Sequence, residues 1–396
     1  MSFNLQLTVP VIILLAICLA AALTFSFYYC LPLFRLRGWR RRCNEEGAPL
    51  DADVTPVPVS VVVYSRDDMP GLERLVPALL RQDYAGDFEV IIVNEGESAQ
   101  VRDYIDGLQM QYRNIYLTHT PDGVRSLSRK KLALTLGIKA ARGQVVVLTT
   151  ATAIIGSDQW LDQMVRPFNT DSSAEVVLGV ALPVRGEDTA MGRRRRSYDY
   201  TADCATWLTA ALRHHPYRGS EYNLAYRRSL FFDNKGFSRS LNIHDGDDDI
   251  FVNEIVNGGN TVVQLSDASL VRFDADIFNF TYREEALKRA FTERFVRHGA
   301  RWRMAVGPLM MWLWLGGAAT AVAMDWHNLF TLSVVAFSGL LMLGFMIPAW
   351  RAALKALGGR NLLLTLPWLT LTRPLRRIYY RLSSRRSRNR HYTWSK

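Results

Sequence analysis

Three long runs without a charged residue constrain this 396-residue chain more than any other feature. They cover residues 9–31, 306–324 and 329–350. A helix rises about 1.5 Å per residue, so each run is long enough to cross a hydrocarbon core about 30 Å thick. No basic residue precedes the first run, which favours an uncleaved anchor over a signal peptide. Only residues 325–328 separate the last two runs, which predicts a membrane hairpin.

The positions of the basic residues predict the orientation of these spans. Five arginines lie between residues 35 and 42, and Arg351, Lys355 and Arg360 follow the third run, whereas the turn at 325–328 has no Lys or Arg. Because basic loops stay on the cytoplasmic side, we expect the N-terminus and that turn outside. The prediction is therefore a multi-pass protein of the inner or plasma membrane, with its soluble domain in the cytoplasm.

The segments around the spans complete the predicted domain organisation. A basic juxtamembrane linker covers residues 32–56 and a cytoplasmic domain covers 57–300. The apolar stretch 361–371 is too short to cross a bilayer and contains Pro367, which favours an interfacial helix. A basic cytoplasmic tail follows at 372–396.

The formal net charge of +11 does not indicate a nucleic-acid partner. The excess charge lies in the arginines at 35–42 and in the tail, and the rest of the chain is slightly acidic. Both basic segments follow an apolar run, so they favour contact with a membrane surface. The four cysteines have no metal-binding spacing and are interpreted as unpaired thiols.

The cytoplasmic segment alternates between strand-like and helix-like patterns. Continuous β-branched runs at 59–65, 88–95 and 144–150, with a weaker one at 114–117, are typical of buried parallel strands. Helical patterns lie between them, and this alternation predicts an α/β domain with ligands beyond the carboxyl ends of the strands. No Walker A and no GxGxxG motif follows the first strand, so P-loop hydrolysis and dinucleotide oxidoreduction lack their phosphate-binding signature.

Five segments in order resemble the membrane-anchored family 2 glycosyltransferases. They are the first strand, IIVNEGES, SRKKLALTLGIKAARGQVVVLTT, GSEYNLAYRRSLFFDNKGF and GDDDIFVNE. The resemblance covers about residues 57–288. It implies a Rossmann-like fold of the type A nucleotide-diphospho-sugar transferases, held between an N-terminal membrane helix and a C-terminal membrane hairpin.

The resemblance also implies donor-binding residues. Glu95 stands where the family has an Asp that contacts the nucleoside, and a carboxylate there can accept hydrogen bonds from ribose or base. Lys130 and Lys131 begin the next helix, where the family often has a lysine near the donor. A solvated turn acid and an ordinary surface pair of lysines are the alternative interpretations.

The family's metal-binding motif is missing. Ala151, Thr152 and Ala153 stand in place of the Asp-x-Asp pair that holds a divalent cation on the sugar diphosphate. Alanine cannot ligate a metal, so no cofactor is predicted with certainty and a divalent cation stays uncertain. Asp158 is a candidate replacement ligand, or the acid at the start of a helix.

The acidic run from Asp245 to Asp249 is the strongest chemical feature that remains. Adjacent like charges repel, which raises the pKa of some of them. In the resembled family an acid pair here supplies the general base, so Asp248 and then Asp247 are the predicted catalytic residues, and Asp249 is placed with the donor. An acidic helix N-terminus is the alternative.

Two further segments give weaker signals. The family's QxxRW element has only an echo at residues 282–289, where Glu285 and Lys288 are candidates for the acceptor or diphosphate side. The run Arg193, Arg194, Arg195 and Arg196 is either a phosphate-neutralising patch or a solvated loop near anionic lipid. Apart from the candidate Asp158, no metal ligand is predicted.

Taken together, the sequence favours an inverting transferase. It would pass sugar from a nucleotide-diphosphate donor to a lipid-linked or membrane-proximal acceptor, as in polysaccharide or glycolipid biosynthesis. The alternative is a catalytically degenerate protein that binds a nucleotide sugar or scaffolds a partner transferase. A membrane module driven by the basic tail would leave the ordered domain without a role, and no nucleic acid is expected as a partner.

Overall fold

A computed structural model describes residues 7–47, 54–120, 128–184, 191–243, 246–273, 279–359 and 365–386. Asp245, residues 361–364 of the predicted interfacial segment at 361–371 and the end of the tail lie outside these residues. The described chain divides into two compact units. One comprises the described parts of 1–38, 189–209 and 298–378, and the other those of 39–188, 210–297 and 379–396.

The second unit is an α/β domain built on a seven-stranded sheet with the order β3-β2-β1-β4-β8-β6-β9. Strands β1 to β4 are parallel, and β8 runs antiparallel to β4 and β6. A three-stranded sheet has the order β5-β10-β7. The strands are β1 (Val59–Ser65), β2 (Phe88–Asn94), β3 (Ile115–His119), β4 (Val145–Thr150), β5 (Ala153–Ile155), β6 (Val176–Leu178), β7 (Ala181–Pro183), β8 (Leu224–Arg227), β9 (Thr261–Val263) and β10 (Val271–Phe273).

The four parallel strands lie where the β-branched runs predict them. Every residue of β4 is buried, and in β1 only Tyr64 is partly exposed, as expected for strands covered on both faces. In the register, Ser65 pairs with Asn94 and Tyr64 with Thr150. The carboxyl ends of β1, β2 and β4 therefore lie side by side. Strand β2 ends one residue earlier than predicted, so Glu95 begins the loop.

Helices flank the sheet of this unit. They are α3 (Met69–Leu80), α4 (Ala99–Gln109), α5 (Arg129–Ala140), α6 (Trp160–Thr170), α8 (Arg228–Asp233), α9 (Ile250–Ile255) and α10 (Asn279–Thr292). Side chains of Asp68, Ser98 and Ser128 accept backbone N–H bonds at the starts of α3, α4 and α5, which satisfies donors that a helix leaves unpaired.

The first unit is built mainly from long helices. They are α1 (Val9–Thr24), α2 (Leu31–Glu45), α7 (Met191–Ala211), α11 (His298–Met324), α12 (Leu329–Leu357) and α13 (Leu366–Arg386), of which α2, α7 and α13 end in the second unit. A π-helical turn, Phe25–Cys30, joins α1 to α2.

Three of the described helical stretches are long and apolar enough to span a membrane, at Val9–Glu45, Gly299–Met324 and Leu329–Leu357. Val11 and Leu15 of α1 pack with Ala321 of α11. Asn328 accepts a hydrogen bond from the amide of Phe330 and so caps α12, which ends at Gly358 in the left-handed conformation (φ 63°). These helices associate the protein with a membrane.

Candidate active site

The ends of β1 and β2 hold a buried carboxylate. Glu95 accepts a hydrogen bond from the hydroxyl of Tyr64, and its Oε1 lies 3.6 Å from Nε of Arg129 and 4.0 Å from Nε of Arg66. Burial, followed by the charge and the hydrogen bond of Glu95, raises the pKa of Tyr64, so this phenol stays a donor. The carboxylate of Glu95 is thus held at the strand edge between a donor and two cations.

The turn after Glu95 depends on a glycine. Gly96 has φ 139°, and an added Cβ would lie 2.3 Å from Oδ2 of Asp67. The side chain of Asn94 donates to Oδ1 of Asp67 at 2.7 Å and to the carbonyl of Gly96 at 3.0 Å. These contacts join the loops that follow β1 and β2.

The two adjacent lysines of α5 have different environments. Lys131 is fully buried, and its Nζ donates to the carbonyl and hydroxyl oxygens of Ser240 at 2.7 and 2.9 Å. Lys130 pairs with Glu221, and its Nζ lies 3.0 Å from Oδ2 of Asp247. Lys131 therefore ties α5 to the loop around Ser240, whereas Lys130 belongs to a cluster of acids.

The three consecutive acids that precede α9 have three different partners. Gly246, directly before them, has a backbone conformation with φ 108° that favours glycine. Asp247 is 3% exposed and pairs with Lys130, while Asp248 lies 3.4 Å from Nη2 of Arg218. Asp249 accepts hydrogen bonds from the amide of Ile250 and the hydroxyl of Thr292. Both oxygens of Asp249 are thus engaged in holding α9 and α10.

Asp248 is more exposed than its two acidic neighbours, and its pKa is raised. Its side chain is 18% exposed. Burial, together with the carboxylates of Asp249, Asp247 and Glu221, raises the pKa of Asp248 to about 7 against the lowering effect of Arg218. A carboxylate with a pKa near neutrality takes a proton from a hydroxyl more readily than an ordinary one does.

Helix α10 contributes cations to the same cluster. Burial acts to raise the pKa of Glu221, but the charges of Lys130, Lys288 and Arg289 outweigh it, so this pKa lies below its ordinary value. Arg289 also lies 3.7 Å from Glu285, one helical turn earlier. The structure thus brings Lys288 close enough to Lys130 for both to act on one carboxylate.

Residues 56–305 match the family model described as glycosyltransferase like family 2. The chain belongs to this family. It is a glycosyltransferase of the type A fold and acts with a sugar-nucleotide donor. A search of curated proteins found no match to this glycosyltransferase.

Solved structures that are similar to this glycosyltransferase share little sequence identity with it. A mannosyltransferase from Pyrobaculum calidifontis, in complex with GDP-Man and Mn²⁺, is 18% identical at a TM-score of 0.52, over 87% of this glycosyltransferase and 98% of that chain. Residues 1–349 of TarS from S. aureus are 16% identical at a TM-score of 0.40, over 84% and 93% of the two chains.

The residues after β4 in this glycosyltransferase do not fit a divalent cation. Ala151 and Ala153 are buried methyl groups, and the hydroxyls of Thr150 and Thr152 lie 3.0 Å apart, within hydrogen-bonding distance. Asp158 is exposed. Within the described ranges, no group of three or more His, Cys, Asp or Glu side chains is arranged to hold a metal ion.

Sequence reasoning missed several members of this cluster. Glu221 lies in the segment GSEYNLAYRRSLFFDNKGF, which was noted only as part of the resemblance, and Arg218 directly precedes it. Tyr64 and Arg129 were not singled out. The sequence signal for Arg218 and Glu221 was the presence of two charged residues shortly before the apolar strand β8. The side chain of Arg193 and the residues 244–245 lie outside the described residues.

Proposed function

We propose that this glycosyltransferase transfers a sugar with inversion from a nucleotide diphosphate to a hydroxyl group of a lipid-linked or membrane-proximal acceptor, with Asp248 as the general base. The observation that carries the proposal is the contrast between two neighbouring acids. Asp247 is almost fully buried and paired with Lys130, whereas Asp248 is partly exposed and has a pKa near 7.

The proposed step is a single displacement. Asp248 removes the proton of the acceptor hydroxyl, and the acceptor oxygen attacks the anomeric carbon from the face opposite the leaving group. A new glycosidic C–O bond forms as the bond to the diphosphate breaks. The diphosphate leaves with the bonding electron pair, which inverts the anomeric configuration.

The donor side is proposed from the strand ends and α5. Glu95 accepts hydrogen bonds from the ribose hydroxyls or the base, as its place after β2 suggests. Lys130, Lys288 and Arg289 neutralise the negative charge of the diphosphate. In family members with the Asp-x-Asp motif, a bound metal ion has this role. Glu221 is the resident counter-ion of these cations when no donor is bound.

The remaining predicted residues receive indirect roles. Glu285 orients Arg289 toward the diphosphate from one turn away. Asp249 positions Asp248 by holding the start of α9 through Ile250 and Thr292. This assignment replaces the expected donor contact of Asp249 with a structural one.

A catalytically degenerate scaffold is the second candidate. Ala151 and Ala153 favour it, because they remove both carboxylates of the family's metal site. The raised pKa of Asp248 favours the enzyme, since a scaffold gains nothing from an acid whose ionisation costs additional free energy.

The three apolar helices support a membrane acceptor. We propose that the helices at 9–31, 306–324 and 329–350 span the bilayer, with residues 57–300 and the tail in the cytoplasm, where nucleotide sugars are made. A lipid carrier presents its hydroxyl or phosphate at that surface.

The experiment uses membranes that contain the full chain. They are incubated with a panel of nucleotide sugars and a lipid extract, and nucleotide release and the anomeric configuration of the product are measured by NMR. Release with an inverted product supports the proposal. Binding of a donor without release supports the scaffold, and a retained configuration rejects the displacement step.

A further inference from the structure

Helix α13 exposes a continuous apolar stripe. Trp368 is 61% exposed, Leu375 53% and Leu382 54%, and Ile378 and Tyr379 are exposed to a similar degree. At 100° per residue these five side chains fall within about 100° of the helix circumference. The stripe therefore covers one side of α13 over most of its length.

Three arginines near the middle of α13 lie on the opposite side of the helix. Arg373 is buried and pairs with Asp203 of α7, and Arg376 makes two hydrogen bonds to Asp199, at 2.6 and 3.2 Å. Arg377 lies 3.4 Å from Asp203. The charged face of this helix is thus turned inward and is neutralised by acids of α7.

This distribution of charged and apolar side chains is the reverse of that on a helix whose outer face contacts water. On a water-facing helix the charged residues lie outside and the apolar ones pack within. Here Arg373 is buried and Arg376 and Arg377 are partly buried, while large apolar and aromatic side chains on the other side are exposed. Burying ionised side chains carries a desolvation cost, and exposing apolar side chains to water is also unfavourable. This orientation is therefore expected only if the exposed face of α13 contacts an apolar environment.

The chain places α13 close to a bilayer. Helix α12 ends with the basic residues Arg351 and Lys355 before Gly358, which sets its end at the headgroup level. Eight residues separate Leu357 from Leu366, and an extended chain of that length reaches at most about 28 Å. The helix carries six arginines in its sequence, which prevents it from crossing the bilayer itself.

We infer that α13 lies in the membrane interface, with the stripe Trp368, Leu375, Ile378, Tyr379 and Leu382 inserted among the lipid headgroups and upper acyl chains. The occupant of this surface is the lipid bilayer. Trp and Tyr are the residues that such an interface favours, and the stripe has one of each. The interfacial segment is thereby shifted from the sequence-predicted 361–371 to 368–382.

The test is spin labelling of the full chain in lipid nanodiscs. Leu375→Cys and Leu382→Cys place a nitroxide on the stripe, and Met110→Cys, on a residue 90% exposed at the end of α4, is the matched control. All four native cysteines are buried, and labelled wild type gives the background. Collision rates are measured with oxygen, which enters the bilayer, and with a water-soluble nickel chelate.

We expect the ratio of oxygen to nickel collisions at 375 and 382 to exceed that at 110 by at least fivefold. A ratio equal to that at 110 would overturn the inference, since the stripe would then face water. Low collision rates with both reagents, together with spin–spin broadening, would overturn it in favour of a second copy of this chain. The same variants should unfold at the wild-type temperature, because both substituted side chains are exposed.

Discussion

The ammonium group of Lys130 lies 3.0 Å from a carboxylate oxygen of Asp247 and also pairs with Glu221. Lys130 thus links the acidic loop before α9 to Glu221. The charges of Lys288 and Arg289 act on the same Glu221 carboxylate. Asp247 is buried and neutralised by Lys130. Asp248, in contrast, is partly exposed and has a raised pKa. This division of roles underlies the predictions below.

The carboxylate of Glu221 should compete with the diphosphate of the donor for the cations Lys130, Lys288 and Arg289. We expect Glu221→Gln to tighten the binding of nucleoside diphosphate by about tenfold, which corresponds to about 1.4 kcal/mol, since a negative charge beside the diphosphate is removed. Lys288→Met should weaken that binding by a similar factor. Isothermal titration in the presence of EDTA measures both.

Lys139→Met, on an exposed residue of the same helix as Lys130, is the control and should bind like wild type. Weaker binding by Glu221→Gln would mean that this carboxylate contacts the donor directly, and would reject its role as a resident counter-ion.

The pH profile should report the proton on Asp248. The base acts only when ionised, so kcat/KM should rise with pH through a limb near 7 and level off above it. Arg218 lowers this pKa, so Arg218→Gln should move the limb to higher pH. Arg239→Gln, at an exposed pair with Glu254, should leave the limb unchanged. An unmoved limb in Arg218→Gln would assign the titration to another group.

Restoring the family's carboxylates should not restore a metal site. Ala151 and Ala153 are buried, so the double variant Ala151→Asp with Ala153→Asp places two charges where water is excluded. Such burial costs several kcal/mol, and we expect a markedly lower unfolding temperature. Thermal unfolding with and without Mn²⁺ provides the measurement. A Mn²⁺-dependent gain in the variant that wild type lacks would show that the loop retains metal-binding geometry.

The topology is testable with fused reporters. An enzyme active only outside the cytoplasm, fused at Asn328, should be active, and the same reporter at Trp394 should be inactive, because basic residues flank the opposite ends of the spans. The reverse pattern would contradict a cytoplasmic donor site.

Much of the α/β core was predictable, because β1, β2 and β4 are buried on both faces and have continuous apolar sequences. The short strands β5 to β7, β9 and β10, of three residues each, carry no such pattern and depend on long-range pairing. The continuation of the first helix to Glu45 was also missed, since the arginines that mark the membrane boundary do not end a helix.

The site was only partly predictable for a similar reason. Asp248 and Lys130 could be named from their segments, but their separate partners depend on the fold. Adjacent residues such as Lys130 and Lys131, or Asp247, Asp248 and Asp249, point in different directions, and sequence spacing does not say which one reaches the site. Arg218 and Glu221 enter the cluster only through tertiary contacts.

The most direct test compares sugar transfer by wild type and by Asp248→Asn in membranes treated with EDTA. With the accepted nucleotide sugar, wild type should retain its rate under chelation, and Asp248→Asn should lose about 10²- to 10⁴-fold in kcat while binding the donor within twofold of wild type. Loss of the wild-type rate on adding EDTA, with recovery on adding Mn²⁺, would contradict the metal-independent mechanism. Equal rates in wild type and Asp248→Asn would contradict the assignment of the base.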